Sequence, residues 1–287
     1  MKITPDEFKV FAQYIHKVCG ITLGLDKAYL IDTRLGNLVK DNNCDNFSEF
    51  LYKAQSDRGK VLEKQIIDAI TTQESLFFRD HSPYEMLKYK IIPDLIDRRS
   101  KTPNAFGKIP IRIWSAACSI GQEPYSMAMT VKELIGNDPA YSVRILGTDI
   151  SDAALGRAQQ GNYNKFEIER GLDTHRLHKY FTPGTDRWQI NPDIRNMVTF
   201  QKMNLMEPFK LPCPMDIVFC RNVAIYFSPE DKARVFNKIA DALAPDGFLV
   251  IGSAEFLTGI CDRFESQRHI KSIFYQLKAG QACCAAV

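Results

Sequence analysis

Three short segments combine small, charged and amide-bearing residues directly after apolar runs. The first is SAACSIGQEP over 115–124, the second is Asp149 within GTDIS, and the third holds Arg221, Asn222 and Tyr226 within CRNVAIYF. If each apolar run is a parallel strand, the three segments meet at one edge of a sheet. Open α/β sheets bind ligands in the crevice beyond the carboxyl ends of their strands. The pattern therefore predicts one shared ligand crevice.

The first segment has the composition of a loop whose backbone a ligand can approach, because Ala117, Ser119 and Gly121 are small. It matches neither the GxGxxG dinucleotide fingerprint nor the GxxxxGK[ST] phosphate loop. Glu123 and Pro124 stand where a helix would begin. A carboxylate there repels phosphate and attracts a cation, such as an ammonium or a sulfonium. An ordinary tight turn between a strand and a helix is the alternative interpretation.

Asp149 ends the next apolar run, about 30 residues beyond the first turn, where a carboxylate commonly binds a ribose diol. Asp149 could equally cap the following helix, and Arg221 and Tyr226 could be an ion-pairing arginine and a packed tyrosine. In combination, the first turn and Asp149 favour a nucleoside-containing ligand.

The elements that position these residues fall into two parts. Residues 1–75 are predicted to form a helical domain, with a capping box at Thr4-Pro5-Asp6-Glu7, a stop at Gly20 and a cap at Asn46. A linker helix is expected within 76–109. Residues 110–280 alternate strands and helices, which is typical of a parallel α/β sheet.

Residues 161–200 interrupt that alternation. Two short alternating segments, 187–190 and 197–201, predict a small antiparallel insertion. The final residues, 281–287, show no periodicity and are expected to be loose.

Composition excludes several classes of protein. The 287 residues are 45% hydrophobic and 25% charged, and 37 basic against 34 acidic residues give a formal net charge of +3, which disfavours disorder and bulk attraction to nucleic acid. No apolar run reaches the length of a membrane span and no signal peptide is recognisable, so we expect a cytoplasmic location without membrane insertion. The eight cysteines show no CxxC and no zinc spacing, so free thiols and no metal are expected.

Six segments resemble, in order, the motifs of the bacterial chemotaxis receptor methyltransferases, the CheR family: TTQESLFFRD, IRIWSAACSIGQEPYSMAM, ILGTDIS, FQKMNLM, DIVFCRNVAIYF and FLVIGSAEFL. The resemblance runs from about residue 4 to residue 277. It implies a class I methyltransferase (Rossmann-like) sheet, an N-terminal all-helical domain and a small antiparallel β-subdomain. It also implies methyl transfer from S-adenosylmethionine to glutamate side chains of chemoreceptors, which yields glutamyl methyl esters and S-adenosylhomocysteine.

The resemblance assigns residues to the cofactor. Together with Ala117 of the small-residue turn, the expected cofactor-binding residues are Gln73, Ser75, Arg79, Glu123, Asp149, Asn204, Leu205, Arg221 and Asn222. Gln73 and Ser75 replace the Asn and Thr usual in the family, which keeps hydrogen-bonding capacity but changes reach.

The chemistry needs alignment rather than a base, because a glutamate carboxylate is already ionised at neutral pH. The five histidines lie outside the motifs and need no catalytic role. Tyr226 is the candidate that orients the substrate carboxylate, and alignment offers Arg98 as the second candidate, with the adjacent Arg99 not distinguished from it.

The expected partner is the helical cytoplasmic region of transmembrane chemoreceptors. Some family members also bind a receptor's C-terminal peptide by adding a strand to the β-subdomain. Whether residues 161–200 do so is left open by the sequence.

There are three rival functions. The main rival is another S-adenosylmethionine enzyme that acts on RNA or on a small molecule, and the near-neutral charge disfavours the RNA substrate. A dehydrogenase is disfavoured by the missing glycine fingerprint. A non-catalytic cofactor-binding protein on the same fold is disfavoured because Arg79, Glu123, Asp149, Asn222 and Tyr226 are all present.

Overall fold

The computed structural model describes residues 2–101 and 107–281. Its α-helices are α1 Pro5–Cys19, α2 Ala28–Asp41, α3 Phe47–Ser56, α4 Val61–Ile70, α5 Ser82–Met86, α6 Ile92–Arg99, α7 Gln122–Ile135, α8 Asp152–Gln160, α9 Lys165–Glu169, α10 Thr174–Tyr180, α11 Pro192–Arg195 and α12 Pro229–Ala242. Its strands are β1 Ile109–Ala116, β2 Tyr141–Asp149, β3 Asn162–Asn164, β4 Phe181–Pro183, β5 Arg187–Ile190, β6 Val198–Lys202, β7 Met215–Cys220, β8 Leu243–Ile251, β9 Phe264–His269 and β10 Ser272–Leu277. None of the described helices is long and apolar enough to cross a membrane.

The first four helices, α1 to α4, form a helical unit with its own core. The predicted capping box opens α1, where Thr4 and Glu7 exchange hydrogen bonds, and Gly20 ends the helix in the left-handed conformation. Phe11 packs at the centre of this core, 6.0 Å from Phe47 and 6.4 Å from Phe50 between ring centroids. The predicted cap at Asn46 begins α3.

The main sheet has seven strands in the order β6-β2-β1-β7-β8-β10-β9. The first five are mutually parallel, and β10 runs antiparallel to both β8 and β9. All six residues of β7 are buried, as expected for a strand in the middle of a parallel sheet that is covered on both faces. This arrangement confirms the predicted α/β class and places the ends of β1, β2 and β7 at one edge.

The insertion after α8 contains a three-stranded antiparallel sheet in the order β3-β5-β4, together with α9 and α10. The predicted small sheet is therefore present, but one of its expected strands was wrong. Segment 197–201 lies in β6, which pairs in parallel with β2 at the edge of the main sheet. Alternation of apolar and polar residues shows that a strand has one buried face, but not which strand lies beside it.

The segment expected as a linker helix packs into the main core. It comprises α5, a π-helical turn at Leu87–Ile91 and α6, and its buried members include Tyr84, Leu87 and Leu95. Strand β9 was not predicted. The prediction of a loose tail falls on residues 282–287, which lie outside the described residues, as do residues 102–106.

Candidate functional site

A cavity lies between the helical unit and the carboxyl edge of the main sheet. Its walls come from the β1–α7 turn, the end of β2, the segments after β6 and β7, and the segment between α4 and α5. All ten predicted cofactor residues and Tyr226 line it: Gln73, Ser75, Arg79, Ala117, Glu123, Asp149, Asn204, Leu205, Arg221, Asn222 and Tyr226. The fold thus brings together residues that are up to about 150 positions apart in the chain.

The β1–α7 turn presents its backbone to the cavity. Ala117, Ser119 and Gly121 have φ angles of +61°, +52° and +89°, a left-handed region that few non-glycine residues adopt. The Cys118 N–H donates to the Thr148 carbonyl at 2.8 Å, which ties the turn to β2. The buried Ser119 hydroxyl has no hydrogen-bond partner among the described residues, so a polar group remains for a ligand.

Asp149 is 9% exposed and joins this turn to the start of α8. Its carboxylate accepts hydrogen bonds from the backbone N–H groups of Ser119 at 2.8 Å and Ser151 at 2.9 Å. Burial raises the pKa of Asp149, and these backbone hydrogen bonds oppose the shift. Each carboxylate oxygen has a further lone pair, so Asp149 can still accept hydrogen bonds from a diol.

Glu123, in the first turn of α7, belongs to a cluster around Arg221. Its carboxylate accepts hydrogen bonds from the Ser115 hydroxyl at 2.8 Å and from Arg221 at 3.2 Å, and Arg221 also pairs with Asp80 at 2.5 Å. Burial raises the pKa of Glu123, although Arg221 lowers it. The cluster thus fixes the Glu123 carboxylate on the cavity wall, where it can accept a hydrogen bond from a cationic group of a ligand.

Arg79 enters the cavity from a turn in an unusual backbone conformation. Its neighbours Phe78, Asp80 and His81 have φ angles of +49°, +67° and +44°. The Phe78 N–H donates to the Ser126 hydroxyl at 3.0 Å, and Arg221 donates to the Arg79 carbonyl at 3.2 Å. Non-glycine residues in this region are costly and cluster at functional sites.

Asn222, at the end of β7, also has a positive φ, +57°. The Glu255 carboxylate accepts hydrogen bonds from the backbone N–H groups of Asn222 at 2.8 Å and Gly252 at 2.7 Å. Glu255 therefore ties the ends of β7 and β8 together beside the cavity. Sequence reasoning missed Glu255, although it lies within the quoted segment FLVIGSAEFL.

The helical unit closes the cavity through direct contacts with the sheet edge. The Asn204 amide donates to the Val18 carbonyl at 2.9 Å and accepts from the Met206 N–H at 3.0 Å, so this side chain holds the end of α1. The Thr22 N–H donates to the Tyr226 carbonyl at 2.9 Å, which anchors the turn that carries the Tyr226 ring.

The structure does not bring Arg98 to the cavity, because α6 ends at the amino edge of the sheet, opposite the cavity. Arg98 donates to the Asp246 carbonyl at 3.3 Å, pairs with Asp94 at 3.7 Å and lies over the Phe248 ring. Arg99 is no substitute, since it pairs with Asp216 and Asp246 at that same edge. Neither arginine lines the cavity.

Two family models match this chain. The family model "CheR methyltransferase, SAM binding domain" matches residues 73–272, and "CheR methyltransferase, all-alpha domain" matches residues 6–71. The chain belongs to the CheR methyltransferase family.

Relatives within the CheR family match almost end to end. Chemotaxis protein methyltransferase 1 of Vibrio cholerae is 40% identical over 279 residues, which is 96% of this chain and 98% of that protein. Chemotaxis protein methyltransferase 1 of Pseudomonas aeruginosa is 38% identical over 277 residues, 95% of this chain and 98% of that protein. A solved TehB-like methyltransferase from Corynebacterium glutamicum is 14% identical with a TM-score of 0.37, covering 70% of this chain and all of that one.

The cavity fits the S-adenosylmethionine that the CheR family model names. The ligand combines a nucleoside, an ammonium and a sulfonium, and the cavity offers a diol acceptor at Asp149, a buried carboxylate at Glu123 and an unpartnered hydroxyl at Ser119. Across residues 2–101 and 107–281 we find no group of three or more His, Cys, Asp or Glu side chains placed to hold a metal ion.

The contribution of the helical unit was not visible in the sequence. Cys19, Lys27, Arg34 and Thr71 also line the cavity, and they come from four places in the first 75 residues. No motif spacing links them, because only the docking of the helical unit on the sheet brings them together.

Proposed function

We propose that this CheR-family chain is a protein-glutamate O-methyltransferase that modifies chemoreceptors, producing glutamyl methyl esters and S-adenosylhomocysteine. The observation that carries the proposal is a cavity at the carboxyl edge of the sheet. Its lining includes the carboxylates of the buried Asp149 and the largely buried Glu123, together with an arginine, Arg79, from a separate turn. The names of the chemotaxis relatives support the pathway.

In this proposal one side of the cavity holds the cofactor. Asp149 accepts hydrogen bonds from the ribose diol, and Glu123 holds the cationic part of the ligand with the help of Ser115 and Arg221. Gln73, Ser75, Ala117, Leu205 and Asn222 complete the walls. When bound, S-adenosylmethionine supplies an electrophilic methyl group, which passes to a carboxylate oxygen as the sulfur keeps the electron pair.

The other side of the cavity orients the acceptor carboxylate. Arg79 takes the role predicted for Arg98, because within residues 2–101 and 107–281 its guanidinium makes a single long hydrogen bond, to the Glu74 carbonyl at 3.4 Å. Arg221 is 1% exposed and already paired, which leaves it unsuited to a mobile substrate. Tyr226 supplies a hydroxyl that can donate to the same carboxylate. No general base is required, since glutamate is ionised at neutral pH.

The acceptor in this proposal is a glutamate in the helical cytoplasmic region of a chemoreceptor, so the enzyme works in the cytoplasm. The small sheet could in addition bind a receptor's C-terminal peptide along its edge. Both expectations rest on the resemblance, and binding assays with isolated receptor tails test the second.

The decisive experiment incubates the protein with S-adenosylmethionine labelled in its methyl group and membranes that contain chemoreceptors. We expect label in the receptor that is released as methanol by mild base, because carboxyl methyl esters hydrolyse readily. Receptors whose methylatable glutamates are replaced by alanine are the matched control. Label that is stable to base, or that enters RNA, would contradict the proposal.

Tyr226→Phe tests the acceptor side. We expect a lower kcat by roughly tenfold, the usual scale for one catalytic hydrogen bond, with unchanged affinity for S-adenosylhomocysteine. Turnover kinetics and calorimetry measure the two quantities separately. A wild-type kcat would remove Tyr226 from the mechanism.

A further inference from the structure

The small sheet packs against the turn that carries Arg79. The Phe77 ring is fully buried, and its centroid lies 4.9 Å from that of Tyr163 on β3 and 5.5 Å from that of Phe181 on β4, both edge to face. A Cβ atom on Gly171 would collide with the Phe77 carbonyl oxygen, so the chain after α9 lies directly against this backbone. The first phenylalanine of the turn is thus held by the insertion.

The second phenylalanine is held by Arg176 of α10. The Arg176 guanidinium carbon lies 4.1 Å from the centroid of the Phe78 ring, a cation–π geometry. Its Nε and Nη2 donate to the two carboxylate oxygens of Glu133 at 2.8 and 3.0 Å, and its Nη1 donates to Asp173 at 3.0 Å. Three hydrogen-bond donors in a planar fork fix the plane of the guanidinium over the ring.

Arg176 and Glu133 form an ion pair, here called the brace, that connects the insertion to α7 of the main domain. Glu133 lies on α7 and is 12% exposed, and Lys88 pairs with it at 3.3 Å from the other side. Burial alone would raise the pKa of Glu133, but Arg176 and Lys88 lower it, so the brace stays ionised at neutral pH.

The turn needs external support because its own conformation is unfavourable. Phe78, Asp80 and His81 all have positive φ angles, and Arg79 lies among them. From the main domain, Ser126 holds the Phe78 N–H and Arg221 holds the Arg79 carbonyl. From the insertion, Arg176 packs on the face of the Phe78 ring.

We propose that the small sheet domain positions Arg79 for methyl transfer, with Arg176 acting through Phe78 as a positioning residue. This role rests on the proposed function and is separate from any binding of a receptor tail. The acceptor side of the cavity would then depend on contacts from the insertion, while the cofactor side depends on Asp149, Glu123 and Arg221.

The test measures kcat, KM for receptor and the dissociation constant for S-adenosylhomocysteine, with a receptor fragment that lacks its C-terminal tail. For Arg176→Met we expect kcat to fall roughly ten- to hundredfold, the cost of a misplaced catalytic group, with cofactor affinity unchanged. Arg176→Lys keeps a cation near the ring but loses the planar fork, so it should recover part of the lost kcat. The control is Arg187→Met, which changes an exposed arginine on β5 of the same insertion and should keep wild-type kcat.

A double-mutant cycle identifies the route of the effect. If Arg176 acts through Arg79, adding Arg176→Met to an Arg79→Lys enzyme should cost little further kcat. Wild-type kcat in Arg176→Met, no recovery with Arg176→Lys, or an equal loss in both backgrounds would each overturn the inference. An inactive wild-type enzyme would instead refute the proposed function, so the two failures are distinct.

Discussion

Two clusters of one arginine and two carboxylates lie at opposite edges of the main sheet. At the carboxyl edge, Arg221 pairs with Glu123 and Asp80, and at the amino edge Arg99 pairs with Asp216 and Asp246. Each cluster contains one largely buried acid and one about a third exposed, and burial raises the pKa of both Glu123 and Asp216.

The difference between the clusters is what surrounds them. Glu123 and Arg221 line the cavity, whereas Arg99 joins the end of α6 to the first residues of β1 and β7 and lines no part of it. The comparison teaches that a buried ion cluster by itself indicates only how a chain is held together. The place of the Arg221 cluster at the carboxyl edge, beside turns with left-handed backbone conformations, is why we propose only this cluster as part of a binding site.

Removing the arginine from each cluster should give the largest effects. Arg221→Met and Arg99→Met should each lower the free energy of unfolding by about 3–5 kcal/mol, because a buried acid loses its partner. We expect S-adenosylhomocysteine to raise the melting temperatures of wild type and of Arg99→Met, but not that of Arg221→Met. If Arg221→Met is too unstable, Arg221→Lys replaces it. Equal ligand responses in both variants would break the comparison.

Asp149→Ala should produce the next largest effect. Loss of a charge-assisted hydrogen bond to the ribose should weaken S-adenosylhomocysteine binding by about 1–3 kcal/mol, measured by calorimetry. Asp246→Ala, which removes an acid from the amino-edge cluster, is the control and should leave the affinity unchanged. Unchanged affinity in Asp149→Ala would reject the ribose assignment.

The pH dependence of binding should be a smaller effect. Burial raises the pKa of Glu123, so its carboxylate takes up a proton at a higher pH than an exposed glutamate would. The ammonium group of S-adenosylhomocysteine needs the ionised Glu123 carboxylate. The affinity for this ligand should therefore decline as the pH is lowered, beginning above the ordinary glutamate pKa of about 4.3. Calorimetry across this range should show weaker binding and a shallower decline for Glu123→Gln. An identical slope would exclude Glu123 as the titrating group.

The smallest effect is expected for Arg98→Ala. Arg98 lies at the amino edge, so both kcat and the affinity for S-adenosylhomocysteine should equal those of wild type. A clear fall in kcat at unchanged stability would restore Arg98 to the mechanism and contradict the separation of the two edges.

Much of the fold could be predicted because its signals are local. The capping box of α1, the cap at Asn46 and the apolar run of β7 depend on neighbouring residues in sequence, and the structure confirms all three. Because parallel strands end at one edge of a sheet, Asp149 and Asn222 were predicted to lie at the same edge, and both line the cavity there.

The remainder depends on tertiary packing. The predicted place of segment 197–201 in the small sheet was wrong, because an edge strand shows the same alternation of apolar and polar residues whichever sheet it joins. Arg98 lies away from the cavity, because alignment places an arginine in this helical segment but does not show at which edge of the sheet the helix stops. The wall supplied by Lys27 and Arg34 follows from domain docking, which no local pattern records.

The most direct measurement is a crystal structure of the protein with S-adenosylhomocysteine. The account predicts the ribose hydroxyls within hydrogen-bond distance of Asp149, and the sulfur facing the side of the cavity that Arg79 and Tyr226 border. A ligand bound elsewhere, or a cavity that stays closed to it at saturating concentration, would contradict the account.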